Sequence, residues 1–308
     1  MFDPADPRSK LSASRPRPSA APADLEPVGV ESAVLADLAP HTSPAGVSSR
    51  FVRAQNLVVQ YATLAAGARV ARLDQPDEYM ALVDDPSASL RVTTGDETRT
   101  VNGRALLIVP PGRSLLTALT DTTITCLYTT ASSDLLPLCT NARSYAQPHP
   151  AVAPFAAWPD PPRGYRVRVY SLDGPDAPGR FGRIWRCTTM MINVLPTQIG
   201  PRDPTKLSPH VHDDFEQVSI GLEGDFVHHL RWPWGPDRTT WRNDEHLLHP
   251  SPSVAVIPPT VIHTTEAVNV GTHQLVDAFS PPRLDFSLQP GWVLNADDYP
   301  VPRAAEFS

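Results

Sequence analysis

Cysteine is scarce in this chain. Cys126, Cys139 and Cys187 are three in 308 residues, odd in number and without a spacing pattern. That excludes a disulfide framework and leads us to expect buried thiols in a reducing cytoplasm. Long apolar runs are missing too: no stretch of about 18 uncharged apolar residues occurs, so no membrane-spanning helix is expected. No apolar segment follows a basic start at the N-terminus, which argues against a secretory leader. Basic runs are absent, and with 26 Lys+Arg against 33 Asp+Glu the formal charge is −7. A nucleic-acid footprint is therefore not expected. What the chain has in plenty is proline, 36 residues. Long uninterrupted helices are hard to place among so many, whereas short strands with proline-marked turns fit.

Residues 1–50 carry eight prolines, many alanines and serines and almost no aromatic residue. This composition reads as a disordered tail, because it buries too little apolar surface to offset its ordering entropy. Within it Leu25–Ala39 could form a short helix with one apolar face, and the alternative to a disordered tail is an arm packed on a partner subunit. From Phe51 the pattern changes to short β-rich runs: Leu57–Leu64, Tyr79–Val83, Leu90–Thr93, Arg104–Val109, Ser114–Leu119 and Thr123–Thr129. Gly, Pro and Asp turns separate them, which indicates an all-β barrel or sandwich over 51–145. Residues 146–164 hold six prolines and read as an extended linker. A second β set occupies 165–308, from the alternating strand Tyr165–Tyr170 to Gln274–Phe279 and a C-terminal tail. The halves share a proline turn. Ile108-Val109-Pro110-Pro111-Gly112 matches Val256-Ile257-Pro258-Pro259-Thr260, as a duplicated unit would. On that alignment Leu73, Gln75 and Leu115 stand in the first half where histidines stand in the second.

Eight of the ten histidines lie between 210 and 273. His210 and His212 are two apart, so on a strand both point to one face, and Glu216 keeps that parity if no bulge intervenes. His263 follows the turn Pro258-Pro259. Three imidazoles and one carboxylate converging from a sheet would make a transition-metal site with open coordination positions. His228 and His229 are adjacent on a predicted strand, so only one can face a barrel interior, as a base or an orienting group. Arg231 shares the parity of His229 and could clamp a substrate carboxylate. Asp213 and Asp214 are read as loop or supporting residues. Gln217, Gln274 and Asp277 could line a pocket. Trp232, Trp234 and Trp241 are read as core packing, or as a lid over the barrel mouth.

The chain resembles the cupin superfamily, and two-domain bacterial cupins in particular. His210-Val211-His212, three residues, Glu216, seven residues and Gly224 match the first cupin motif, in which three or four residues separate the second histidine from the glutamate. Pro258-Pro259-Thr260-Val261-Ile262-His263 with Asn269 resembles the second, with Thr260 in place of its glycine. The resemblance covers about residues 51–290 and is carried mainly by the second half. It implies two tandem double-stranded β-helix (jelly-roll) barrels, with His210, His212, Glu216 and His263 facing the interior of the C-terminal barrel. It also implies one divalent transition metal there, Fe(II) first, with Mn(II), Ni(II), Zn(II) or Cu(II) as alternatives.

Three function classes follow. The first is a dioxygenase whose small-molecule substrate binds the metal directly and reacts with O2, with Glu216 as ligand and base and His228, His229 and Arg231 as further catalytic residues. The second is a metal-dependent isomerase or lyase acting on a sugar acid or hydroxy acid. The third is a non-catalytic metal or small-molecule binder. A homodimer formed through exposed sheet edges is the expected assembly.

Overall fold

The structure, a computed structural model, describes residues 6–11, 29–95, 97–174 and 177–302. Its regular structure is almost entirely antiparallel β-strand with short 3-10 turns, and among the described residues one short α-helix, Leu284–Ser287, follows the last strand. Each half is a two-sheet barrel. In the first half, Tyr79–Val83, Ala105–Val109, Thr122–Thr129, Leu57–Leu64 and Ser48–Arg53 lie in a seven-stranded sheet. It faces a four-stranded sheet of Arg69–Gln75, Gly112–Ala118, Ser89–Thr94 and Thr98–Asn102. In the second half, Ser253–Ile257, Gln217–Glu223, Thr272–Phe279, Met191–Val194 and Arg183–Arg186 belong to the other seven-stranded sheet. Opposite them stand three strands, Glu245–Pro250, Asp225–Arg231 and Ile262–Val268.

The continuous apolar runs of the large sheets have a direct cause. On Tyr79–Val83 the residues Tyr79, Ala81 and Val83 fill the first barrel, while Met80 and Leu82 point the other way. Leu107 and Val109 alternate with Leu106 and Ile108 in the same manner. The outward set meets Trp185, Ile192, Val218, Ile220, Val254 and Val256 of the second half in one apolar layer. The barrels thus pack sheet to sheet, and strands buried on both faces lose polar alternation. The outer strand Arg69–Gln75 keeps it: Val70 and Arg72 are buried, Ala71 and Leu73 exposed.

Two boundaries differ from the sequence reading. Residues 29–50, read as tail, include the strand Glu31–Val34, which pairs with Ser253–Val256 at the edge of the second half's sheet. Leu35 behind it is 1% exposed within the inter-barrel layer. Residues 6–11 of that tail form the turn Pro7–Lys10, and its residues 1–5 and 12–28 lie outside the described residues. Conversely, Arg168–Ser171, assigned by sequence to the second barrel, pairs with Ala105–Ile108 of the first. Each half therefore lends an edge strand to the other's sheet. The 146–164 segment is irregular, yet Val152 and Trp158 are buried, so it runs along the surface of the fold and is anchored to it. All three cysteines are buried and free.

Candidate metal centre

His210 and His263 face each other across an isolated antiparallel bridge. The His210 amide donates to the His263 carbonyl at 3.0 Å, and the His263 amide to that of His210 at 2.8 Å. His212 is held by the proline turn: the Thr260 amide donates to its carbonyl at 2.6 Å. Thr260 sits at φ 71°, where the first half's turn has Gly112 at φ 94°. A β-branched residue in this region costs on the order of 1–3 kcal/mol, so the turn is held by its surroundings. One ligand-type nitrogen from each of the three rings lies within 4.8 Å of the others.

The ring orientations follow from their partners. His210 Nδ1 lies 3.0 Å from the Ser208 carbonyl, and His263 Nδ1 lies 2.9 Å from that of Val261. A carbonyl only accepts, so both Nδ1 atoms carry the proton and both Nε2 atoms present lone pairs. Gln217 Oε1 lies 3.0 Å from His212 Nε2 and 3.4 Å from His263 Nε2. Its amide nitrogen donates to Ser219 Oγ at 3.0 Å and to Asp277 at 3.2 Å, which fixes the oxygen toward the histidines. Asp277 also accepts from Ser219 Oγ at 2.6 Å. Burial above all, with the nearby cations Arg8 and Arg283, lowers His263 to about 4. Burial likewise holds His210 and His212 well below the usual imidazole value. Burial pushes Asp277 up to about 6. The rings are therefore neutral at pH 7, the form in which they ligate a metal.

Glu216 is a correction to the sequence reading. It does not join the histidines. Its carboxylate accepts from the Gln55 amide at 2.6 Å and from the Tyr145 hydroxyl at 3.0 Å, both in the first half. Burial pushes it up to about 7, against the pull of those two donors. The first half holds its mirror. Glu78, fully buried, accepts from the Thr188 amide at 3.1 Å and the Tyr299 hydroxyl at 2.7 Å, both in the second half. Each glutamate immediately precedes a central strand and clasps the hairpin and tail of the opposite barrel. The four-residue spacing of the motif, not the three-residue one, reaches the site, and it brings Gln217. The signal was available: the first half retains Glu78 without any histidine, so a glutamate at this place does not depend on a metal.

The remaining expectations divide. His228 is 1% exposed, bonds Thr265 through Nδ1 at 2.9 Å and lies beside His249. Burial and neighbouring imidazoles depress it to about 3. His229 faces the other side of the same strand. Its Nε2 lies 2.9 Å from Glu266, and its Nδ1 lies 2.8 Å from His246, away from the cluster. Arg231 is exposed and paired with Asp244 at 2.5 Å, a surface ion pair. Trp232 is buried, whereas Trp234 and Trp241 are exposed and stack at 4.3 Å; Trp232 and Trp234 line a separate hollow. They do not line the metal cavity, so the lid alternative lacks support from their position.

The duplicated alignment also shifts. A bulge between Gly112 and Ser114 changes the parity. As a result Leu73 is 73% exposed, and the first barrel's interior holds Arg72, Gln75, Tyr79 and Ser114. Arg72 donates to Gln75, and Tyr79 and Ser114 share a hydrogen bond.

A cavity of about 460 Å³ opens on the cluster, with His210, Gln217 and Asp277 in its wall. That is the size of small-molecule sites, about 300–1,000 Å³. His273 also lines it. Its Nε2 donates to the Val268 carbonyl at 2.6 Å, and its Nδ1 is buried without a hydrogen-bond partner.

No family model matches the chain, and no curated protein matches its sequence. Solved structures do match in shape. Lactobacillus farciminis oxalate decarboxylase in a formate complex is 12% identical over 85% of this chain and 89% of its own, with a TM-score of 0.55. A variant of Bacillus subtilis oxalate decarboxylase is 12% identical over 84% of this chain and 79% of its own, also at 0.55. AerE from Microcystis aeruginosa is 10% identical over 78% and 96%, at 0.51. At these identities the likeness establishes the fold alone.

Proposed function

Starting from a chain that has the two-barrel cupin fold, we propose a metal-dependent enzyme acting on a small organic substrate in the C-terminal barrel. The observation that carries this is the convergence of acceptors. The Nε2 lone pairs of His210 and His263 and the Gln217 carbonyl oxygen come together beside His212. Converging buried acceptors are costly unless a cation sits among them. The donor set suits a divalent first-row ion such as Fe(II), Mn(II), Ni(II), Cu(II) or Zn(II). When bound, such an ion supplies Lewis acidity and, if redox-active, O2 chemistry.

The chain's own residues do the rest. Ser208 and Val261 hold two ring tautomers, while Ser219 and Asp277 aim Gln217. A histidine-and-carboxamide set is electrically neutral, and an ion held by it would have room for a substrate and O2. We therefore read the protein first as a dioxygenase-type oxygenase. With Glu216 turned away and His228 held at low basicity, proton transfer has fewer agents than the sequence suggested. The isomerase or lyase reading retains one support, the buried lone pair of His273 Nδ1 in the cavity wall.

The test is metal analysis of protein purified without chelators, for the wild type and His263→Ala, followed by O2-uptake screening over diketones, catechols, hydroxy acids and oxalate. One equivalent of metal in the wild type, at least tenfold less in His263→Ala, and O2 consumption are expected. Turnover without O2 uptake would move the assignment to the isomerase or lyase. Equal, negligible metal in both proteins would remove the enzyme readings together.

A further inference from the structure

The outer face of the second half's three-stranded sheet carries imidazoles of its own. Along Asp225–Arg231 the residues Phe226, His228 and Leu230 are buried, so His229 and Arg231 point outward. Glu245–Pro250 lies beside this strand with His246 directly opposite His229. Ile262–Val268 lies on its other side and brings Glu266 within reach of the same ring. His229 Nδ1 and His246 Nδ1 are 2.8 Å apart. The His229 and Glu266 side chains are 26% and 19% exposed, so the sheet face holds both, whereas His246 is exposed and has room to turn. This pair is separate from the cluster of His210, His212 and His263, because His263 stands opposite Leu230, an inward residue.

The hydrogen bonds decide which nitrogen is offered. A carboxylate only accepts, so the 2.9 Å contact between His229 Nε2 and Glu266 is a donation by the ring. That leaves the Nδ1 of His229 as a lone pair, and the proton between the two Nδ1 atoms belongs to His246. A carboxylate behind an imidazole, with a lone pair in front, is the arrangement that orients metal-binding histidines. Asp244 and Arg231, an ion pair, share a hollow of about 150 Å³ with the two rings. Two carboxylates, Glu266 and Asp244, against one guanidinium leave this patch favourable to a cation.

The separation of the nitrogens selects the ion. Two nitrogens each about 2.0 Å from one ion are about 2.8 Å apart at neighbouring corners of a square, and about 3.3 Å apart at the corners of a tetrahedron. The observed 2.8 Å matches the square. We propose that His229 and His246 form a second metal site, on the outside of the C-terminal barrel, for an ion that takes square-planar or tetragonal coordination, Cu(II) or Ni(II). His246 turns its Nδ1 toward the shared ion, and the proton it carried passes to its own Nε2 by way of water. Glu266 is the positioning residue that holds His229, and water fills the remaining positions. A two-histidine site at the surface exchanges its ion readily, so it is filled by added metal and is empty in protein as purified.

The experiment is titration of the full chain with Cu(II), followed by calorimetry and electron paramagnetic resonance. Wild type, His246→Ala and His263→Ala are compared, together with His246→Ala, Glu266→Ala and Glu266→Gln each placed on the His263→Ala background. His263→Ala should keep one Cu(II) whose axial spectrum carries coupling from two imidazole nitrogens. Adding His246→Ala should weaken binding at least tenfold and remove that coupling. Adding Glu266→Ala should weaken it about tenfold, the usual effect of losing an orienting carboxylate. Glu266→Gln still accepts the ring N–H and should restore most of the affinity. If His263→Ala does not fold, wild type and His246→Ala decide alone. Their Cu(II) stoichiometry should differ by one at an unchanged urea midpoint, since His246 lies at the surface. Equal Cu(II) binding by wild type and His246→Ala, or a copper spectrum in His263→Ala without two coupled imidazoles, would overturn the proposal. Equal affinity with and without Glu266→Ala would remove the positioning role of that carboxylate.

Discussion

Glu216 and Gln217 are neighbours with opposite duties, and substitution separates them. Glu216→Gln should leave metal content unchanged, because its side chain faces Gln55 and Tyr145. Its effect should instead be on stability against pH. The folded value, about 7, lies above the ordinary 4.5, so between these two values the folded state holds a proton that the unfolded chain has released. Stability from this group is therefore full below about pH 4.5 and falls as pH rises to 7, by about 3 kcal/mol over the window. Urea denaturation of wild type and Glu216→Gln from pH 4.5 to 7.5 measures it, and the difference between the two proteins should show that slope. The histidines contribute the opposite trend. His263, lowered to about 4, stays neutral in the fold while the unfolded ring is charged below about 6.5, so its contribution rises with pH between those values. A pH-independent difference between wild type and Glu216→Gln would mean that the carboxyl is ionised throughout.

The element with the largest revision is the strand Glu31–Val34 with the turn after it. Its sequence has weak β character, and its polar and apolar residues do not alternate cleanly. Pairing with the edge strand Ser253–Ile257 makes it a strand, because that edge otherwise presents open backbone groups. Leu35 then falls into the inter-barrel layer, where its amide donates to the Pro252 carbonyl at 2.8 Å. Leu35→Ala should cost about 2–5 kcal/mol, the range for a buried leucine, whereas a truly disordered residue would cost under about 0.5 kcal/mol. Chemical denaturation of the variant distinguishes the two. The same logic explains Arg168–Ser171. Alternation identified it as a strand, and only the neighbouring Ala105–Ile108 assigned it to the first barrel.

For the whole molecule, the two barrels share a core, two exchanged edge strands and two glutamate clasps. They should unfold together. Tryptophan fluorescence and far-ultraviolet circular dichroism are expected to trace one coincident urea transition, since Met80, Ile108, Trp185 and Val218 lie in one layer. Two separated transitions would show that the barrels are energetically independent. Cooperation of this kind also gives a role to the first barrel, where among the described residues no group of His, Cys, Asp or Glu gathers as the three histidines do in the second. Its interior is filled by Tyr79, Tyr128 and the apolar cluster around them, so it serves as a packed wall against which the second is built.

The β class, the duplicated halves, the three histidines and the absence of a long apolar helix were all determined locally. Alternation, proline turns and His-x-His spacing are properties of a few adjacent residues, and the spacing of a strand carries them directly into space. Among the described residues no helix is long and apolar enough to cross a membrane. Only the tertiary structure decided the rest. Whether Glu216 or Gln217 faces the histidines depends on where the strand leaves its loop, and a shift of one residue reverses every side chain. The bulge at Gly112 displaced the first-half counterparts for the same reason. That Glu216 is drawn to Gln55 and Tyr145, and that Arg8 sits beside Ser208, depends on contacts between residues 71 to 200 positions apart. No local pattern encodes such contacts. They are settled when the two apolar sheet faces meet and fix which loops and arms come within reach of the site.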